Sequence, residues 1–173
     1  MNSSQAAPSS IQPVDFTQPL ALDGMAVKPD HIDANGHMNV GYYNVIFDQA
    51  LDELLRPLGL DWSYMERTNF STFALETHVC YLQEVVEGDV LRFTFRLLDC
   101  DAKRVHCFLE MHHAEKGYLA ATSEQVLMNI DMATRRSAPF PAEYQALLAR
   151  LKEGHDRLPR PPQAGRSIGL ARK

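Results

Sequence analysis

Between residues 73 and 132 the chain repeatedly alternates apolar and polar side chains, the period of a half-buried β-strand. Phe73, Leu75, Thr77, Val79 and Tyr81 share one face, against Ala74, Glu76, His78 and Cys80 on the other. Gly88-Asp89 turns the chain into residues 90–98, where Leu91, Phe93, Phe95 and Leu97 oppose Arg92, Thr94 and Arg96. Asp101-Ala102-Lys103 and Glu115-Lys116-Gly117 introduce two further strands, residues 105–113 and 118–132. Short turns between alternating segments predict an antiparallel meander. Upstream the period changes: Val40, Tyr43, Phe47, Ala50, Leu51 and Leu54 recur at helical spacing, with Asn39 as N-cap and Pro57 as the limit. A short strand is expected over 25–29, ended by Pro29, and a last helix opening at Pro141 with Tyr144, Leu147, Leu148 and Leu151 on one face. The predicted class is therefore α+β, an antiparallel sheet wrapped around one long central helix. An uncovered sheet edge favours a homodimer or homotetramer.

With 173 residues, one domain is expected over 23–153. Residues 1–22, rich in Ser, Gln, Ala and Pro, read as a flexible arm, and the Arg- and Pro-bearing residues 154–173 as a flexible basic tail. A formal charge of −5 argues against bulk attraction to nucleic acid. No apolar run has the length of a membrane span, and the polar start lacks the layout of a signal peptide. Cys80, Cys100 and Cys107 show no paired or metal-type spacing, which points to a reduced, cytoplasmic compartment.

The chemistry concentrates in residues 31–50. Asp33, Gly36, His37 and Asn39 lie in a turn that runs into the predicted helix. Acting on a carbonyl needs a carboxylate to attack or to deprotonate water, and N–H donors for the developing oxyanion. A helix start offers free N–H groups and a favourable dipole. Asp33 alone also fits a plain turn cap, and Asn39 a plain helix cap. Tyr43 belongs to the apolar stripe of the helix. Glu76 and His78 share a strand face as a carboxylate–imidazole pair, suited either to a neighbouring site or to a subunit interface. His106, Glu110 and His112 alternate onto one strand face, too far apart for one metal ion, so an exposed polar face and no metal are expected. No phosphate-binding glycine loop, Gly-x-Ser-x-Gly elbow or Cys/His nucleophile pattern is present.

Asp33-x-x-Gly36-His37-x-Asn39-x-x-x-Tyr43-x-x-x-Phe47-x-x-Ala50, with the later Tyr81-Leu82 and Gly88-Asp89, resembles hotdog-fold acyl-CoA thioesterases of the 4-hydroxybenzoyl-CoA thioesterase type. The resemblance spans roughly residues 24–135 and implies hydrolysis of an acyl-CoA to the acid and CoA, without a cofactor. It implies Asp33 as the catalytic carboxylate, with Gly36 and helix N-terminal amides polarising the thioester oxygen. His37 and Asn39 would support the loop or position water and substrate, Tyr43 would line the acyl pocket, and Lys103 and Arg104 would either hold CoA phosphates or only keep their turn soluble. It also implies dimers with active sites between subunits. A narrower likeness, carried by residues 101–106, 121–125 and 138–140, is to betainyl-CoA thioesterases of carnitine breakdown. A trimethylammonium acyl group wants an aromatic or acidic pocket, for which Trp62, Tyr64, Phe70, Phe73, Tyr81 and Glu76 are the candidate residue types. The alternatives are a non-catalytic acyl-CoA-binding module and a dehydratase or hydratase of the same fold.

Overall fold

The computed structural model describes residues 14–170. Along the chain come β1 (Leu20–Ala26), α1 (Val40–Leu55), α2 (Ser63–Thr68), β2 (Phe70–Tyr81), β3 (Val90–Cys100), β4 (Arg104–His113), β5 (Leu119–Asp131), β6 (Arg136–Ser137) and α3 (Ala142–His155). The strands form one antiparallel sheet in the order β1-β3-β4-β5-β2, with β6 paired to the end of β5. The expected α+β hotdog arrangement is the one formed, a sheet with one long helix against its apolar face. Seven residues of α1 are buried: Tyr43, Ile46, Phe47, Ala50, Leu51, Leu54 and Leu55. At about 1.5–3 kcal/mol per large apolar side chain, this outweighs the weak helix propensity of Val40, Gly41, Val45 and Ile46. Phe47 meets Phe93 of β3 edge-on at 5.9 Å between ring centroids.

Several boundaries differ from expectation, each for a local reason. The first strand begins at Leu20 and ends at Ala26, and Pro29 opens a 3-10 turn (Pro29–His31) instead of closing a strand. A bulge at Gly24, whose φ is +95°, lets both Leu22 and Met25 pack on the core although they are not an even number apart. A second bulge interrupts β2 between Ala74 and Glu76. Thr77, Val79 and Tyr81 pair with the buried Gln125, Ser123 and Ala121, whereas Phe73 pairs with Met128 and so shares the face of Glu76 and His78. The alternation expected to run unbroken from Phe73 to Tyr81 therefore changes phase at Leu75. Helix α2 has no sequence stripe because only Tyr64 of its six residues is buried.

The ends of the chain are tied down further than the arm and tail imply. Residues 1–13 lie outside the described residues, but Leu20–Leu22 belong to β1. Gln18 O accepts from His155 Nε2 at 3.1 Å, and Arg150 lies over the Phe16 ring at 5.5 Å. Gly154 and His155 are buried in the last turn of α3. Beyond it, Arg96 donates to the carbonyls of Leu158 and Pro159, and Gly165 N donates to Glu124 at 2.7 Å. Among the described residues no helix is long and apolar enough to cross a membrane.

Candidate active site

Asp33 opens a small hairpin closed by a bridge between Ile32 and Met38. Its backbone N–H donates to His37 O at 3.1 Å, and Gly36 N–H donates to Asp33 O at 3.0 Å. Gly36 has φ +81°, a conformation that a side chain would strain. Asp33 Oδ1 accepts from Asn35 N at 2.8 Å, fixing the carboxylate by its own turn. Oδ2 has only a 3.5 Å approach from Asn39 Nδ2, so it is the freer oxygen.

The same Asn39 caps α1, its Oδ1 accepting from Gly41 N at 2.9 Å. Tyr42 N donates to Asn39 O, while Val40 N–H finds no acceptor among the described residues. That N–H stands in the first turn, at the positive end of a sixteen-residue helix. Gly36 was expected to polarise the substrate oxygen through its amide. Its N–H is bonded within the turn, so of the donors expected from Gly36 and the nearby helix start it is Val40 N–H that is left free.

Asp33, His37, Met38, Val40 and Tyr43 face Tyr81, Leu82, Gln83 and Glu84 across a cleft of about 330 Å³. Tyr43 and Tyr81 meet edge-on at 5.1 Å, and burial pushes the Tyr43 hydroxyl above its ordinary pKa. His37 Nδ1 has only a 3.4 Å contact with Met38 O, a loop-supporting position. The segment after β2 pins the hairpin in place through Met38 N donating to Val85 O at 2.9 Å. His31 is a positioning residue that sequence spacing did not single out. It is buried, stacks on Tyr42 at 4.6 Å, and its carbonyl accepts from Asn39 N at 2.9 Å.

The remaining candidates lie elsewhere in the chain. Glu76 and His78 sit on β2, a free edge of the sheet, and do not line the cleft. His78 has a 3.9 Å contact with Cys80 Sγ. Lys103 and Arg104 form the β3–β4 turn, where Arg104 pairs with Asp101 at 2.6 Å. Arg104 is in register with Met128 and, through it, with Phe73, so this turn belongs to the end of the sheet away from Asp33. His106 bonds Glu124 at 2.7 Å, and Glu110 bonds Thr94 and His112 at 3.2 and 3.3 Å, so the polar row on β4 splits into separate pairs. Among the described residues, no group of three or more His, Cys, Asp or Glu is placed to hold a metal ion.

A second hollow, about 310 Å³, lies at the other end of the α1–β2 seam. It joins Asp48, Leu51, Asp52 and Leu55 of α1 with Asp61, Trp62, Tyr64 and the start of β2. Of the six aromatic and acidic residues expected to serve a cationic acyl group, Trp62 and Tyr64 both line it. Phe73 contributes from the strand, but its ring carries Arg135 at 5.3 Å.

Residues 27–150 match the family model of the thioesterase-like superfamily. The chain is 38% identical over 155 residues to the betainyl-CoA thioesterase of Pseudomonas aeruginosa, covering 90% of this chain and 98% of that protein. It is also 38% identical over 159 residues to the L-carnitine dehydrogenase/betainyl-CoA thioesterase of Rhizobium meliloti. That match covers 92% of this chain, which spans only 32% of the length of the longer relative. A Staphylococcus aureus protein solved in complex with CoA superposes with a TM-score of 0.81 at 32% identity, covering 92% of this chain and 100% of that one.

Proposed function

We propose that this chain, which belongs to the thioesterase-like superfamily, hydrolyses an acyl-CoA thioester to the free acid and CoA. The observation that carries the reading is the half-free Asp33 carboxylate in a cleft beside the unpaired first-turn N–H of α1. The thioester carbonyl lies against Asp33 Oδ2, with its oxygen toward Val40 N–H. Attack on the carbonyl carbon places negative charge on that oxygen, where the donor and the helix dipole stabilise it. Collapse expels the CoA thiolate. Asp33 either attacks directly, giving an acyl-enzyme that water opens, or takes a proton from the attacking water. In isotopically labelled water, a single turnover labels the Asp33 carboxylate only in the first route. Asn39 steers Oδ2, and His37 and His31 hold the loop.

The identity to betainyl-CoA thioesterases over most of the chain supports betainyl-CoA as the acyl donor. The CoA-bound relative supports a CoA ester as the substrate class. A second copy of the chain covers the free β2 edge, twelve residues long and carrying the exposed Leu75 and Tyr81. Pairing of two such edges also carries Lys103 and Arg104 toward the partner's cleft, where they meet CoA phosphates. The reading places the protein in the cytoplasm, with all three cysteines free.

Asp33→Asn tests it. The amide oxygen keeps the acceptor for Asn35 N, so the hairpin persists, while thiol release from acyl-CoA falls by at least about 10²-fold. Undiminished release by this variant refutes the assignment. Tight binding of acyl-CoA by the native chain with no thiol released would make it a binding module instead.

A further inference from the structure

The acidic hollow beside Trp62 takes no part in the chemistry at Asp33 of its own chain. Thr72 at the hollow and Tyr81 at the cleft lie nine residues apart on β2, roughly 30 Å along an extended strand. A betainyl group carries its nitrogen only one methylene from the carbonyl and cannot bridge that span.

The hollow has the chemistry of a quaternary-ammonium site. The Trp62 indole is 75% exposed, an unusual state for the one tryptophan in the chain. Asp48, Asp52 and Asp61 stand around it. Arg67 and Arg56 approach Asp61 at 3.6 and 3.9 Å, and Arg56 reaches Asp52 at 3.9 Å. Asp48 has no basic partner among the described residues, so three carboxylates face two guanidinium groups. A trimethylammonium group donates no ordinary hydrogen bond and is held by an aromatic face and by net negative charge. Both are present here.

Symmetry supplies the missing proximity. Helix α1 and strand β2 run antiparallel along the seam. Tyr43 near the start of α1 meets Tyr81 at the end of β2, while Leu51 and Leu55 share the hollow with the start of β2. The two-fold pairing proposed above, across the free β2 edge, would exchange these ends and set the hollow of one subunit beside the cleft of the other. We infer that Trp62 and Asp48 of one subunit bind the cationic head of the acyl group whose thioester lies at the partner subunit's Asp33. This rests on the hydrolase reading and adds the residues that choose the substrate.

The test compares betainyl-CoA with 3,3-dimethylbutyryl-CoA, its uncharged isostere, on the full chain. The native chain prefers the cationic ester. Trp62→Ala and Asp48→Asn each lower the cationic-to-neutral ratio of kcat/KM by about tenfold, and Trp62→Phe restores part of it. Equal losses on both esters, leaving the ratio unchanged, indicate a structural role and overturn the inference. Hydrolysis of neither ester by the native chain, with thiol still released from another acyl-CoA, overturns betainyl-CoA as the substrate and this inference with it, while the hydrolase reading stands. Co-expression of Asp33→Asn and Asp48→Asn subunits then tests the pairing. Randomly mixed dimers hold one intact composite site per heterodimer, so turnover of the cationic ester recovers to about a quarter of native. Activity no higher than that of the parent variants overturns the two-subunit arrangement.

Discussion

Asn39 connects the stability of α1 to the aim of Asp33, and substitutions separate the two. Its Oδ1 accepts from Gly41 N at 2.9 Å, while Nδ2 approaches Asp33 Oδ2 at 3.5 Å. Asn39→Ala removes both. Loss of an N-cap acceptor costs about 1 kcal/mol, which lowers the Tm of a domain of this size by about 2–4 °C. The contact to Asp33 is long, so its loss is set near the lower end of a side-chain hydrogen bond, about 0.5–1 kcal/mol, or a two- to fivefold fall in kcat/KM. Asn39→Asp keeps the cap and adds a charge that the helix dipole favours, so the Tm holds. It also sets a second carboxylate beside Asp33. Like charges disfavour ionisation, so the acidic limb of the pH–rate profile moves to higher pH. Thermal melts and thiol release measured across pH read the two effects independently. An Asn39→Asp variant with native activity and an unmoved acidic limb would refute the coupling of Asn39 to Asp33.

Two further outcomes follow from the packing of the chain ends. In Gly154→Ala the new Cβ overlaps Phe16 O, a backbone atom that cannot swing aside. The expected destabilisation is about 2–3 kcal/mol, a Tm loss of about 5–10 °C, and an unchanged melt contradicts the docking of residues 14–18 on α3. His155 is buried, accepting from Leu97 N at 2.9 Å through Nδ1 and donating to Gln18 O through Nε2. Burial holds its pKa below the ordinary value, so the neutral ring stabilises the fold above the unfolded pKa of about 6.5. That contribution is lost as pH falls below this value, because the unfolded chain takes up the proton first. His155→Gln removes this part of the pH dependence, and an equally steep Tm decline between pH about 6.5 and 5 in both proteins argues against it.

The alternating segments and the stripe of α1 were legible because each is a local, periodic response to a single apolar face. What escaped was phase. One inserted residue on a strand reverses which side chains face inward, and no residue type announces it at Leu75. At Gly24 the positive φ gives a physical cue, although glycine alone does not distinguish a bulge from a turn. The Asp33 turn and its cap were readable for the opposite reason: donor, acceptor and glycine lie within nine consecutive residues. His31 was not, since its value comes from stacking on Tyr42 and offering a carbonyl to Asn39.

The contrast between the two hollows follows from how each is built. The cleft at Asp33 takes its carboxylate and its free N–H from one hairpin and the helix it starts, so local sequence constrains both groups together. The hollow at Trp62 draws on α1, on the loop after it and on the start of β2, and no single spacing joins them. Its carboxylates are separated by ordinary surface intervals, and its tryptophan precedes a helix too short to show a face. Groups set in one turn are held by that turn's geometry, whereas a hollow assembled from three elements can change one side chain at a time without disturbing the hairpin. On the proposed reading, therefore, substitutions at Asp48 or Trp62 change which acyl group is accepted, and substitutions at Asp33 or Asn39 change whether any is hydrolysed.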